Sequence, residues 1–165
     1  MVEVQEMSDA DSKNLLRRVG YGHLGLVRDT RPYVVPIHYA YDEPHIYIYT
    51  TEGKKTEIIK ANRAVCLQIE DVTDENHWQS VIVSGDALQL TEKLEIAQAM
   101  KLILETNPRL SPAISIHWMD AWVRSNYEVV YRITPTTLTG RTTVERNKKP
   151  VSAGHRAPRR RTDIL

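Results

Sequence analysis

Short runs of β-branched and aromatic residues recur along the chain, separated by clusters of turn residues, while three stretches space their apolar residues as a helix does. Ser8 or Asp9 can cap the first of these, a helix through about Val19 with Leu15, Leu16 and Val19 on one face, which Gly20 and Gly22 end. A strand follows from His23 to Arg28, then a turn at Asp29-Thr-Arg-Pro32. The run Tyr33-Val-Val-Pro-Ile-His-Tyr-Ala-Tyr41 turns at Asp42-Glu-Pro44 and returns as His45-Ile-Tyr-Ile-Tyr-Thr50, a β-meander. Pro36 has no N–H to give a ladder, so its position is an edge or a bulge, where backbone groups stay free.

After the polar turn Thr51-Glu-Gly-Lys-Lys55, a short helix runs from Lys54 to Ala61 and ends at Asn62. Ala64 to Glu70 reads as a strand, and Trp78 to Leu90 as a long one bent at Gly85. Leu94, Ala97, Met100 and Leu104 have helical spacing over Glu92–Glu105, with Thr91 as the cap. Pro108 and Pro112 break the chain, and a last strand from Tyr127 to Ile133 ends near Pro135. About six strands and three helices in this order predict a mainly β (α+β) domain: an antiparallel barrel with flanking helices rather than a doubly wound parallel sheet.

Composition narrows the class. The 165 residues are 41% hydrophobic and 26% charged, enough for one packed domain. The single Cys66 excludes an internal disulfide framework and a cysteine-built metal site. No run approaches a membrane span, and acids stand at the start where a signal peptide would carry positive charge, so a cytoplasmic location is expected. Residues 1–140 hold 14 Lys and Arg against 19 Asp and Glu, whereas residues 141–165 hold 8 against 2. The chain is expected to divide into a folded domain, 1–144, and a basic, flexible tail, 145–165. A nucleic-acid role would rest on that tail and be opposed by the acidic body, so none is expected.

The segment Tyr49-Thr-Thr-Glu-Gly-Lys-Lys55 is the most informative for chemistry. A glycine turn opening a helix with two lysines gathers N–H groups and ammonium charge at one point, as a phosphate monoester requires; an ordinary solvated turn is the plainer alternative. Ser80, at the mouth of Ser80-Val-Ile-Val-Ser-Gly85, could add a hydroxyl. The six histidines lack close helical spacing and cysteine partners, so no metal is expected. Trp118 and Trp122 read as core or dimer contacts. No nucleophile elbow or Gly-x-Gly-x-x-Gly is present, which suits a protein that binds and orients a cofactor.

Taken in order, Pro32-Tyr-Val-Val-Pro-Ile-His-Tyr-Ala-Tyr-Asp42, Ile46-Tyr-Ile-Tyr-Thr50, Gly53-Lys-Lys55 and Ser80-Val-Ile-Val-Ser-Gly85 resemble the pyridoxamine 5′-phosphate oxidase-like flavin-binding split-barrel proteins, closest to their nitroimidazole-resistance branch. The likeness runs from about Leu15 to Arg141. It implies a six-stranded split barrel forming a homodimer, with FMN in two clefts at the subunit interface. By position, Val35, Pro36, Ile37 and His38 would run along the flavin ring, Tyr49 and Thr50 would flank the ribityl chain, and Lys54, Lys55 and Ser80 would hold the phosphate. Arg141 would reach the partner's flavin. Related barrels take the deazaflavin F420 or haem, and the lysines do not separate F420 from FMN. Two departures bear on activity: Leu138–Thr143 lacks the Arg-rich substrate segment of vitamin B6 oxidation, and Tyr49 stands where nitroimidazole-resistance proteins usually carry histidine. The expected function is an FMN-dependent oxidoreductase passing electrons from NAD(P)H to a small organic acceptor; the alternative is a flavin, F420 or haem carrier without turnover.

Overall fold

A computed structural model describes residues 2–108 and 128–145. In chain order it contains β1 (Val2–Glu6), α1 (Asp9–Val19), β2 (Tyr21–Arg28), β3 (Arg31–Asp42), β4 (His45–Thr51), α2 (Lys54–Ala61), β5 (Ala64–Asp74), β6 (His77–Gln89), α3 (Lys93–Thr106) and β7 (Glu128–Glu145). The segment with Trp118 and Trp122 and the basic tail after Glu145 lie outside the described residues.

Six antiparallel strands, in the order β7-β4-β3-β2-β5-β6, close into a ring through the pairing of β6 with β7. The seventh strand, β1, adds to the outer half of β7, with Val2 opposite Glu145 and Glu6 opposite Arg141. Its short Val-Glu-Val-Gln-Glu pattern carries little apolar signal, and what holds it is an edge of β7 far away in sequence. The two-residue turn at Asp29 and Thr30 is tighter than the sequence suggests, with Asp29 at φ 56°, a region where aspartate is tolerated.

β7 does not end at Pro135. It continues for ten more residues because the β6–β7 register shifts between Ser84 and Gly85: Pro135 stands opposite Gly85, Thr137 opposite Ser84, and Thr136 is the extra residue of a bulge that bends the strand beside the proline. Gly85 is needed there: a Cβ would stand 2.4 Å from the Thr134 carbonyl oxygen. At the other corrected boundary, Glu92 rather than Thr91 is the N-cap of α3, and its side chain makes no capping hydrogen bond.

The barrel interior is filled by Leu24, Tyr39, Ile46, Leu67, Ile69, Val81, Val83 and Ile133, all essentially inaccessible. Two helices plug its ends. α1 is capped by Ser8, whose Oγ accepts from the Asp11 N–H at 3.1 Å, and it drives Leu15 and Leu16 into the core. α2 buries Ile58 and Ile59 in the same cluster. α3 packs outside, where Ala99 and Ile103 cover Ala40, Leu90 and Val130.

Among the described residues, the ring is incompletely laced between β3 and β4. β3 pairs with β2 from Arg31 to His38, but with β4 only from Tyr39 to Asp42. Tyr39 N–H donates to the Gly20 carbonyl at 3.0 Å, toward β2. Strand alternation therefore turns the peptide groups of Val35 and Ile37 toward β2, and those of Val34, Pro36 and His38 toward the unpaired side.

Candidate functional site

The leading end of α2 sits beside this open edge because β4 delivers the chain to it through Gly53. Gly53 adopts φ 157° and ψ −160°, a conformation that side-chain-bearing residues avoid. Thr56 Oγ1 accepts from the Gly53 N–H at 2.9 Å and donates to the Gly53 carbonyl at 2.8 Å, which fixes the turn. Lys54 and Lys55 then open the helix. Lys54 Nζ lies 4.5 Å from the centroid of the Tyr33 ring on β3, a cation–π contact that anchors this side chain to the strand. Lys55 is half-buried, and burial holds its pKa below the ordinary lysine value of 10.5. Neither lysine forms an ion pair with a carboxylate among the described residues, in contrast to Lys13 and Lys60, which are paired with Glu43 and Glu52.

A desolvated ammonium without a counter-charge, at a helix N-terminus, is a stored attraction for an anion. The sign of its pH dependence follows. With its pKa lower in the folded chain than in the unfolded one, Lys55 binds fewer protons when folded, so the ligand-free protein gains stability as pH rises from that lowered value toward 10.5. An anion seated on Lys55 restores the proton and cancels this gain. Chemical melts between pH 8 and 10.5 with and without inorganic phosphate or FMN are expected to show the slope and its loss.

The other sequence-predicted residues fall into separate groups. Val35 and Ile37 point into the barrel while Pro36 and His38 face outward, all four along the open stretch of β3. Tyr49, opposite Val130, packs with the cluster beneath α3, and Thr50 sits opposite Val129 on the alternate face. Ser80 lies directly opposite Arg141 across the β6–β7 ladder. Gln68 Nε2 donates to Ser80 Oγ at 3.4 Å, and Arg141 is bound to Glu6 at 3.1 Å. The registers put Tyr33 level with Gly85, five residues along β6 from Ser80, or ~16 Å at the rise of a strand. Within one chain, the lysine pair and the Ser80–Arg141 pair are thus two distinct clusters.

The geometry adds residues that sequence reasoning missed. On the outer face, Tyr21 lies between two imidazoles, 5.2 Å from the ring of His38 and 5.8 Å from that of His23. His38 Nδ1 is 3.3 Å from Asn107 Oδ1, and His23 Nδ1 is 3.2 Å from Gln68 Oε1. Asn107 caps the end of α3, and the Asn-Pro step at 107–108 was the one signal of it in the sequence. No group of three or more metal-ligating side chains occurs among the described residues, and none of their helices is long and apolar enough to cross a membrane.

Residues 8–142 match the family model described as pyridoxamine 5′-phosphate oxidase. The fold is similar to that of a FAD-binding protein from Mesorhizobium loti, at 27% identity over 88% of this chain and 100% of that one, with a TM-score of 0.71. It is also similar to that of a candidate 5-nitroimidazole antibiotic resistance protein from Bacteroides thetaiotaomicron, at 16% identity over 87% and 89% of the two chains, with a TM-score of 0.69; at that identity the likeness is one of fold. An uncharacterised protein of Rhizobium meliloti is 32% identical over 82 residues, half of this chain and 54% of the relative, so the match spans about half that curated relative's length.

Proposed function

The chain belongs to the pyridoxamine 5′-phosphate oxidase family, and from that premise we propose that it is a flavin-dependent oxidoreductase carrying electrons from NAD(P)H to a small organic acceptor. The observation that carries the reading is Lys55, a half-buried cation with no carboxylate partner among the described residues, at the head of α2 beside the unpaired edge of β3. Lys54, Lys55 and the first N–H groups of α2 would hold the phosphate of the cofactor. The β3 peptide groups of Val34 and His38, with the Pro36 carbonyl, would meet the polar rim of the ring. A bound flavin supplies the two-electron chemistry for which the chain shows no side-chain apparatus of its own. The phosphate grip serves FMN, and it also serves FAD, the ligand named for the Mesorhizobium relative.

The ~16 Å between the lysine pair and the Ser80–Arg141 pair supports a homodimer, in which the second copy brings its own Ser80 and Arg141 to the flavin. Val34, Ile82, Val27 and Tyr21 expose apolar surface on the sheet face that such a partner would cover. Cytoplasmic action on a small molecule, without nucleic acid or membrane, completes the proposal.

The test is optical. Purified protein, or protein given FMN or FAD, is expected to show flavin absorption that bleaches within seconds of adding NAD(P)H under anaerobic conditions. A chain that stays colourless with both flavins refutes the reading. Flavin that binds but does not bleach makes the protein a carrier.

A further inference from the structure

Asn107 fixes which nitrogen of His38 carries the hydrogen. Its Nδ2 donates to the Tyr39 carbonyl at 2.9 Å and to the Ile103 carbonyl at 3.4 Å. With two acceptors on that side, the amide cannot be turned round, and Oδ1 must face His38 Nδ1 at 3.3 Å. An amide oxygen only accepts, so Nδ1 holds the hydrogen and, in the neutral ring, Nε2 keeps its lone pair. No described residue bonds Nε2, and the ring is exposed on the unpaired stretch of β3, steadied by Tyr21. Tyr33, which carries Lys54, is five residues away, ~16 Å along the strand. His38 therefore stands toward the far end of the edge from the phosphate-holding lysines.

We propose that His38 is the proton donor to the electron acceptor, and that Asn107 is its positioning residue. This rests on the flavin reading given above. In the charged ring, Nε2–H donates to an oxygen of a quinone-type acceptor. As hydride reaches the acceptor from the cofactor that NAD(P)H has reduced, the Nε2–H bond breaks, the proton passes to that oxygen, and its electron pair stays on Nε2. The ring is left neutral with its hydrogen on Nδ1, the form Asn107 already holds, and solvent that enters the cleft after the product leaves reprotonates Nε2. Among the described residues, the titratable group in ring contact with His38 is Tyr21 on β2, with His23 on the other side of that phenol, and α3 presents the neutral amide of Asn107.

The experiment has two readouts on the full chain. First, ¹⁵N-histidine labelling with long-range ¹⁵N–¹H correlation at alkaline pH is expected to show His38 with Nδ1 protonated and Nε2 bare. In Asn107→Leu, which has no acceptor for Nδ1–H, that preference is expected to be lost. Second, with FMN bound, reduction of a benzoquinone by NADPH is expected to fall as pH rises through a single ionisation. His38→Gln is expected to be slower by ~10²-fold, with that limb abolished and FMN affinity retained. A wild-type His38 protonated on Nε2, or a His38→Gln variant that keeps its rate and its pH limb, overturns the proposal. If no flavin binds, the flavin reading and the donor role fall together, whereas a lost pH limb or tautomer with flavin still bound bears on His38 alone.

Discussion

Changing Lys54 and Lys55 together to alanine is expected to weaken FMN binding by ~2–4 kcal/mol, the scale of charge-assisted contacts removed from a desolvated site. That is roughly a 30- to 700-fold rise in Kd, read by quenching of flavin fluorescence or by calorimetry. The fold should scarcely notice. Lys54 gives up one cation–π contact with Tyr33, worth ~0.5–1 kcal/mol at an exposed site, while removing Lys55 relieves the cost of a half-buried charge. The ligand-free variant is therefore expected to melt within ~1 kcal/mol of the parent. A double variant that binds FMN as tightly as the parent removes the phosphate from this end of α2.

The second large effect is on stability. Tyr39 is fully buried where the β3–β4 ladder begins, and its hydroxyl donates to the Leu16 carbonyl at 2.8 Å. Burial pushes its phenol pKa upward, so it stays protonated as a donor throughout the working pH range. Tyr39→Ala is expected to cost ~3–5 kcal/mol from the cavity it opens between α1 and the sheet. Tyr39→Phe, which keeps the ring and loses the hydrogen bond, is expected to cost ~1 kcal/mol. Guanidinium unfolding midpoints of the two variants separate packing from hydrogen bonding. A Tyr39→Ala chain as stable as the parent would mean that the barrel does not depend on this joint.

How much of this was legible in the residues depends on the range of the forces involved. α1 could be read almost to the residue, because its Ser8 cap, its Leu15–Leu16 face and its Gly20 stop are local features. The turn at Gly53 and the oddity of Pro36 were likewise local, and both fell at the open edge. β1 and the extension of β7 beyond Pro135 were not legible, since each depends on a partner strand distant in sequence: β1 on Arg141–Glu145, Pro135 on Gly85. The separation of Ser80 from the lysines is set by ladder registers, which no linear spacing encodes. Asn107 was hidden for the same reason, because its hydrogen bonds reach 68 and 69 residues back along the chain, to Tyr39 and His38.

The unpaired run of β3 carries a hazard as well as an opportunity. A bare strand edge invites any other extended segment to zip onto it, the usual route to fibrils and misassembly. Pro36 interrupts the row of donors at its centre, so an intruding strand would find a missing hydrogen bond and a bulky ring where it needs a flat approach. A small planar molecule asks for two or three contacts and tolerates that gap, whereas a polypeptide asks for a continuous series. Among the described residues, one imino acid thus makes this open seam a poor template for a further strand.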